Sequence, residues 1–386
     1  MASGAGIRVL GSRYGAAVAA RAKVLPLVDL AAQYAEVGPD IERAVLRVCR
    51  SLRYVGGEEV SAFEAAFATY TGASHAIGVA NGTDALELAL TATGLHPGDE
   101  VLIPANTFVA TAEAVHAAGG TVRFVDVRAD TGLIDVDSAA ERLTSATRAI
   151  IPVHLYGRMV DMEAILAFGR SHDLTVIEDA AQAHGARRGG LAAGTAGHAG
   201  CFSFYPGKNL GAVGDAGAVV TNDAAIAERV RLLRDHGRHG HENHAVIARN
   251  SRLDPMQAAV LTVKLEHLDR WTQSRRAAAS ALRERLDPAV LDWTGNADPL
   301  EEVHHLFPIL VEDRDAMQVA LRKRGVMTGV HYRHHLPSTP AFREGAASCP
   351  VAASRARHQL SLPMHPHLDD AAIEQIVEGV AACAIG

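Results

Sequence analysis

FSFYPGKNLGAVGDAGAVVT, residues 202–221, decides how the chain folds. Two apolar runs, CFSFYP (201–206) and GAVVTN (217–222), read as strands, and GKNLGAVGDA between them is a loop carrying Lys208. The same short runs recur upstream. AIGVA (76–80), EVLIPA (100–105), TVRFVDV (121–127), AIIPVHLYG (149–157) and LTVIEDA (174–180) are each read as strand. Helical stretches lie between them: DALELALTATG (84–94), closed by Gly94, and TFVATAEAVHAAG (107–119). Strands alternating with helices predict βαβ units and a mostly parallel sheet, hence an α/β fold.

Downstream, Asp254 fits an N-cap, Pro255 the first helical position and Gln257 the glutamine of a capping box. The helical pattern then runs through residues 257–286, longer than a typical globular helix, so it is expected to break or to join two domains. HHLFPILV (304–311), a helix from Arg314 to Arg324 and VMTGVHY (326–332) predict a smaller α/β domain. The expected division is a disordered extension over 1–24, a large domain over 25–265 and a small one over 266–386. The extension carries Arg8, Arg13, Arg21 and Lys23, no acid and no long apolar centre, which argues against a secretory signal.

With 386 residues the chain can bury a large core. Its 37 Lys+Arg against 44 Asp+Glu give a net charge of −7, which argues against nucleic acid as a partner. No apolar run is long enough to span a bilayer, so no membrane partner is expected. The four cysteines are scattered without a CxxC, pointing to a reduced, cytoplasmic protein. Histidines gather at His236, His239, His241 and His244 and again at His331, His334 and His335. Their spacing is not helical and no paired cysteine accompanies them, so polar loops are preferred to a metal site.

In open α/β sheets ligands sit at the carboxyl ends of the strands. Glu178 and Asp179 stand where LTVIED stops, and Lys208 lies between Gly207 and Gly211. A lysine desolvated there has a lowered pKa, and its neutral amine can form a Schiff base with an aldehyde. Enzymes that use pyridoxal 5'-phosphate (PLP) need such a lysine, and a carboxylate that keeps the pyridine nitrogen protonated. Asn81-Gly82-Thr83, between a strand and a helix start, suits the phosphate. Ser203 offers another hydroxyl, and Phe108 a ring to stack on the pyridine. Each residue alone has a plainer reading as turn, cap, core or solvated surface.

Together they resemble one family. NGTDAL (81–86), GDEVLIPANTFVAT (98–111), PVHLYG (152–157), IEDAAQAHGA (177–186) and FSFYPGKNLGAVGDAGAVVT (202–221) are similar, in order, to the DegT/DnrJ/EryC1/StrS sugar aminotransferases. The resemblance covers about residues 25–386 and implies a fold-type-I PLP enzyme with a seven-stranded-type sheet and a smaller C-terminal domain. It implies that Lys208 carries the cofactor as a Schiff base and Asp179 pairs with the pyridinium nitrogen. Gln182 would lie near the phenolic oxygen, Phe108 on the ring, and Gly82, Thr83 and Ser203 at the phosphate. RNSRLDPMQAAVL (249–261) resembles the stretch in which an asparagine, here Asn250, crosses a homodimer interface to the partner's phosphate, with Arg252 near the substrate. GVHYRHHLP (329–337) resembles the substrate-facing segment, with His331 and Tyr332 as its His-Tyr pair.

The implied reaction moves an amino group from L-glutamate to a nucleotide-linked, dTDP-type 3-keto-6-deoxyhexose. The alternatives are amination at carbon 4, a PLP-dependent sugar dehydratase, which the retained Lys208 disfavours, and a PLP-binding regulator. Arg252, His331 and Arg333 are expected to make a local positive pocket for anionic ligands on an acidic protein.

Overall fold

A computed structural model describes residues 24–240, 243–291, 301–345 and 348–384. The extension expected over 1–24, apart from Val24, and His241 of the first histidine group lie outside the described residues.

Helices α1 (Leu30–Ser51) and α2 (Glu58–Thr71) lead into β1 (His75–Val79). There follow α3 (Gly82–Ala92), β2 (Glu100–Pro104), α4 (Val109–Ala117), β3 (Thr121–Val125), α5 (Val136–Glu141), β4 (Thr147–Ile150), α6 (Met162–Ser171) and β5 (Thr175–Asp179). Then come β6 (Ala199–Ser203), β7 (Gly217–Thr221) and α7 (Ala224–Leu233). The seven strands form one sheet in the order β1-β7-β6-β5-β4-β2-β3. Only β7 runs against its neighbours; the pairs β6–β5, β5–β4, β4–β2 and β2–β3 are parallel. The α/β fold expected from the alternating runs is therefore the fold observed.

Both faces of the sheet are covered. Along β5, Val176 enters a cluster with Phe63, Phe67 and Phe202, while Ile177 enters another with Leu86, Leu90 and Ile103. A strand buried on both faces is apolar throughout rather than alternating, which is why these strands appear as continuous runs. Asn81 caps α3 by accepting from the Asp84 amide at 2.8 Å, and Gly94, with φ +91, ends the chain's turn out of it.

The long helical pattern divides into α8 (Pro255–Leu265) and α9 (Leu268–Arg285). Beyond them lie β8 (Phe307–Leu310), α10 (Arg314–Lys323), α11 (Pro350–His358), β9 (Gln359–Leu362) and α12 (Asp370–Ala384). Here Leu282, Phe307, Ile309, Leu321, Leu360 and Ile376 make a separate core, which Leu25 also joins. Helix α9 links the two regions, with Leu268 in the main core and Leu282 in the second.

Three local expectations need correction. Pro255 does open α8 behind Asp254, but no capping box forms: the Asp254 side chain makes no capping hydrogen bond and the Gln257 Oε1 accepts from the Val213 amide at 3.0 Å. AIIPVHLYG stops being strand at Ile150; Leu155–Gly157 is a 3-10 turn in which Tyr156 (φ 66) and Gly157 (φ 91) are both left-handed. VMTGVHY forms no strand of its own. It touches Leu25 through Val326 and β9 through Gly329, while the partner of β8 is β9, which the sequence patterning did not single out.

Candidate active site

Strands β1, β6, β5, β4, β2 and β3 all point their carboxyl ends to the same edge of the sheet, and Asn81, Ser203 and Asp179 stand at three of those ends. Adjacent side chains on a strand face opposite ways. Asp179 and Glu178 therefore separate. Glu178 turns into the protein, where it is fully buried, meets His154 Nε2 at 2.7 Å and accepts from the amides of Gly194, Ala196 and Gly197. It is an anchor for the turn before β6.

Asp179 faces the site. Its Oδ2 accepts from Thr111 Oγ1 at 2.8 Å and its Oδ1 from the Ala181 amide at 3.1 Å. Thr107 in turn meets the Thr111 hydroxyl at 2.9 Å. Burial pushes the Asp179 carboxyl above its ordinary pKa, while the Thr111 hydroxyl, the Ala181 amide and the Lys208 charge pull the other way.

Lys208 sits within electrostatic reach of that carboxylate. Its loop doubles back tightly: Lys208 N donates to the Tyr205 carbonyl, Ala212 N to the Phe204 carbonyl, and a Cβ on Gly211 would lie 2.4 Å from the Pro206 oxygen. Helix α8 holds the loop from one side. Gln257 takes the Val213 amide, and Lys264, 4% exposed, donates to the Gly211 carbonyl at 2.7 Å and to Gln33 at 2.9 Å. Burial pushes the Lys208 amine down to about 8, against the pull of Asp179. Histidines also surround it. His184, between Phe202 and Phe204, is pushed down to about 3, and His331 to about 4, first by burial and then by the Lys208 charge. These imidazoles are neutral at pH 7.

Gly82 opens α3 against Ser203: a Cβ on Gly82 would stand 2.6 Å from the Ser203 Cβ. The first amides of a helix, here those of Gly82 and Thr83, have no intrahelical acceptor and face an anion favourably. The cradle is one that any larger residue at position 82 would fill.

Phe108, 53% exposed, is the N-cap residue of α4, and its ring lies 5.7 Å from that of Tyr332. Gln182 is buried between two tyrosines, accepting from the Tyr156 amide at 2.7 Å and donating to the Tyr332 hydroxyl at 3.1 Å. His331 Nδ1 meets Ser361 Oγ at 2.9 Å. The expected positive pocket is largely neutralised: Arg252 pairs with Asp235 at 2.5 Å and Arg333 with Asp315 at 3.1 Å. Asn250 is exposed, and its backbone bridges to Asp235. Ser251 beside it bonds Asp84 of α3 at 2.6 Å, so this segment packs against the helix that begins at Gly82.

Sequence reasoning gave no role to Thr111, Tyr156 or Lys264. Thr111 follows Thr107 by one helical turn, a spacing that could have pointed to it. Nothing local distinguishes Tyr156 or Lys264, because the hydrogen-bond partners of their side chains and of the Tyr156 amide are 26 or more positions away in the chain.

The family model of the DegT/DnrJ/EryC1/StrS aminotransferases matches residues 36–381. The chain belongs to that family. It is an aminotransferase, and its cofactor is PLP. The dTDP-3-amino-3,4,6-trideoxy-alpha-D-glucose transaminase of Streptomyces venezuelae is 43% identical over 362 residues, 92% of this chain and 95% of that one. A "Pleiotropic regulatory protein" of Geobacillus stearothermophilus is 44% identical over 365 residues, 92% of this chain and 98% of that one. The crystal structure of S. venezuelae DesV in complex with a ketimine intermediate has a TM-score of 0.90 and 42% identity, covering 94% of this chain and 99% of that one. The geometry of this family member fits the cofactor: a depressed lysine amine beside a buried carboxylate, and a glycine cradle with free amides at a helix start.

Proposed function

We propose that the enzyme moves an amino group from L-glutamate to carbon 3 of a dTDP-linked 3-keto-6-deoxyhexose, as a cytoplasmic homodimer making an amino sugar. The observation that carries this reading is the Lys208–Asp179 pair: an amine held near neutral pKa beside a carboxylate buried at a strand end. The relatives named as dTDP-3-amino-sugar transaminases, from S. venezuelae and Aneurinibacillus thermoaerophilus, support the substrate class.

Bound PLP supplies a conjugated ring that takes up the electron pair left when a proton leaves the donor's α-carbon. Asp179 holds a proton at the pyridine nitrogen. Thr111 and the Ala181 amide aim its carboxylate and favour its ionised form against the cost of burial. The amides of Gly82 and Thr83 and the Ser203 hydroxyl would hold the phosphate, Phe108 would cover the ring, and Gln182 would serve the phenolic oxygen. Asn250 of each subunit serves the phosphate of the other. The Lys208 amine would serve as the base for the donor's α-proton and as the acid that gives it back. With the keto sugar the same groups run the steps in reverse, and Arg252, His331 and Tyr332 face the sugar nucleotide.

Glutamate alone tests the reading. The yellow enzyme should lose its visible band and release one 2-oxoglutarate per site. The name of the Geobacillus relative favours a second reading, a PLP-binding regulator, and a band that glutamate leaves unchanged would select it.

A further inference from the structure

PVHLYG (152–157) belongs to the sequence pattern of the site, yet the reaction as described uses none of its residues. Its tyrosine is unusual in conformation and in position. Tyr156 is 2% exposed and left-handed, at φ 66 and ψ 3. Few side chains other than glycine and asparagine take that region, and bulky ones do so only where the surroundings impose it. The amide of Tyr156 bonds Gln182, while its phenol reaches Gln359 of β9 from within the main core.

The phenol is a junction. Asn106 Nδ2, two residues before Phe108, donates to it at 3.3 Å. The phenol lies 2.8 Å from the carbonyl of His331 and 2.9 Å from the Gln359 side chain of β9. It has one proton for two acceptors. Gln359 Nε2 has no partner among the described residues. Amide orientation is assigned from the hydrogen-bond network rather than seen. Turned over, Gln359 becomes a donor to the phenolic oxygen, and the proton is left for the carbonyl of His331. The amide of Tyr156 completes a ring, because the Gln182 it binds donates onward to the Tyr332 hydroxyl at 3.1 Å. Both residues of the His331–Tyr332 pair are thus held from Tyr156, one through a carbonyl and the other through Gln182.

We propose that Tyr156 is a positioning residue for sugar recognition, fixing the His331–Tyr332 segment against the large sheet through its phenol. The inference rests on the reading that His331 and Tyr332 face the sugar nucleotide. It assigns Tyr156 no contact with substrate or cofactor.

Tyr156→Phe removes only the hydroxyl and keeps the ring in the core. The two half-reactions are measured separately, with L-glutamate and with a dTDP-linked 3-keto-6-deoxyhexose. KM for the sugar should rise about tenfold, as loss of a buried hydrogen bond allows, with a smaller change in the glutamate half-reaction. The visible band of the holoenzyme should keep its position, which a general loosening of the site would shift. Equal loss in both half-reactions, or an unchanged KM for the sugar, overturns the proposal. His331→Ala and Tyr332→Phe run alongside. If these variants leave the sugar KM unchanged, the substrate-facing reading fails and takes the proposal with it. If they raise it and Tyr156→Phe does not, only the role of Tyr156 fails.

Discussion

Gly82 and Ser203 approach so closely that a Cβ on the glycine would lie 2.6 Å from the serine Cβ and 3.1 Å from its Cα. The contact joins the start of α3 to the end of β6, and it shapes the anion cradle. Gly82→Ala must push one of them away. Overpacking of this kind costs about 1–3 kcal/mol, so PLP retention should weaken by about tenfold or more. Equilibrium dialysis of the variant against PLP checks this, and an unaltered dissociation constant would remove the cradle from the account.

Asp179 costs the cofactor-free protein stability. Burial raises its folded pKa above the unfolded value. Below the unfolded pKa both states are protonated and the cost is absent; it grows as pH rises towards the folded pKa and persists above it. Cofactor-free Asp179→Asn should therefore melt higher than the wild type at pH 7, with the difference shrinking near pH 4, while its turnover is lost. Thermal melts at the two pH values decide it.

On the proposed function Lys208 must be neutral to capture PLP, and burial pushes its amine down to about 8. The rate at which cofactor-free enzyme regains its visible band should climb with pH and level off above about 8. Because the Asp179 charge raises the lysine pKa, Asp179→Asn should move the inflection lower. Stopped-flow absorbance from pH 6 to pH 10 measures both, and an inflection near the ordinary lysine value would contradict the desolvated amine.

The parallel strands were legible because strands buried on two faces are short unbroken apolar runs, and α3 because Asn81 and Gly94 mark its ends. Asp179 and Gly82 drew attention because they stand at a strand end and a helix start, and Lys208 because it sits in the glycine-flanked loop between two strands. What escaped was set by distant partners. Gln257 looks like a capping residue until the lysine loop arrives to claim its oxygen. Arg252 and Arg333 look like free cations until Asp235 and Asp315 fold against them. β9 alternates Gln359 and Ser361 with Leu360 and Leu362, all fully buried, so its polar positions hid a core strand.

Lys264 holds the Lys208 loop through the Gly211 carbonyl, and burial pushes its amine down to about 8. Lys264→Met relieves the buried cation and leaves that carbonyl without its donor. The variant should stay folded, yet kcat should fall by up to about a hundredfold, the scale of a catalytic group misplaced by about 1 Å. Melting curves beside steady-state rates separate the two effects, and wild-type turnover would show that the loop keeps its shape unaided.

The most direct test offers [15N]glutamate and a panel of nucleotide-linked keto sugars to the wild-type enzyme and to Lys208→Ala, with products read by mass spectrometry and NMR. The account predicts 15N on carbon 3 of a dTDP-linked 6-deoxyhexose with the wild type and none with the variant. Label in the sugar at the wild-type rate without Lys208, or a dehydrated sugar free of label from the wild type, would contradict it.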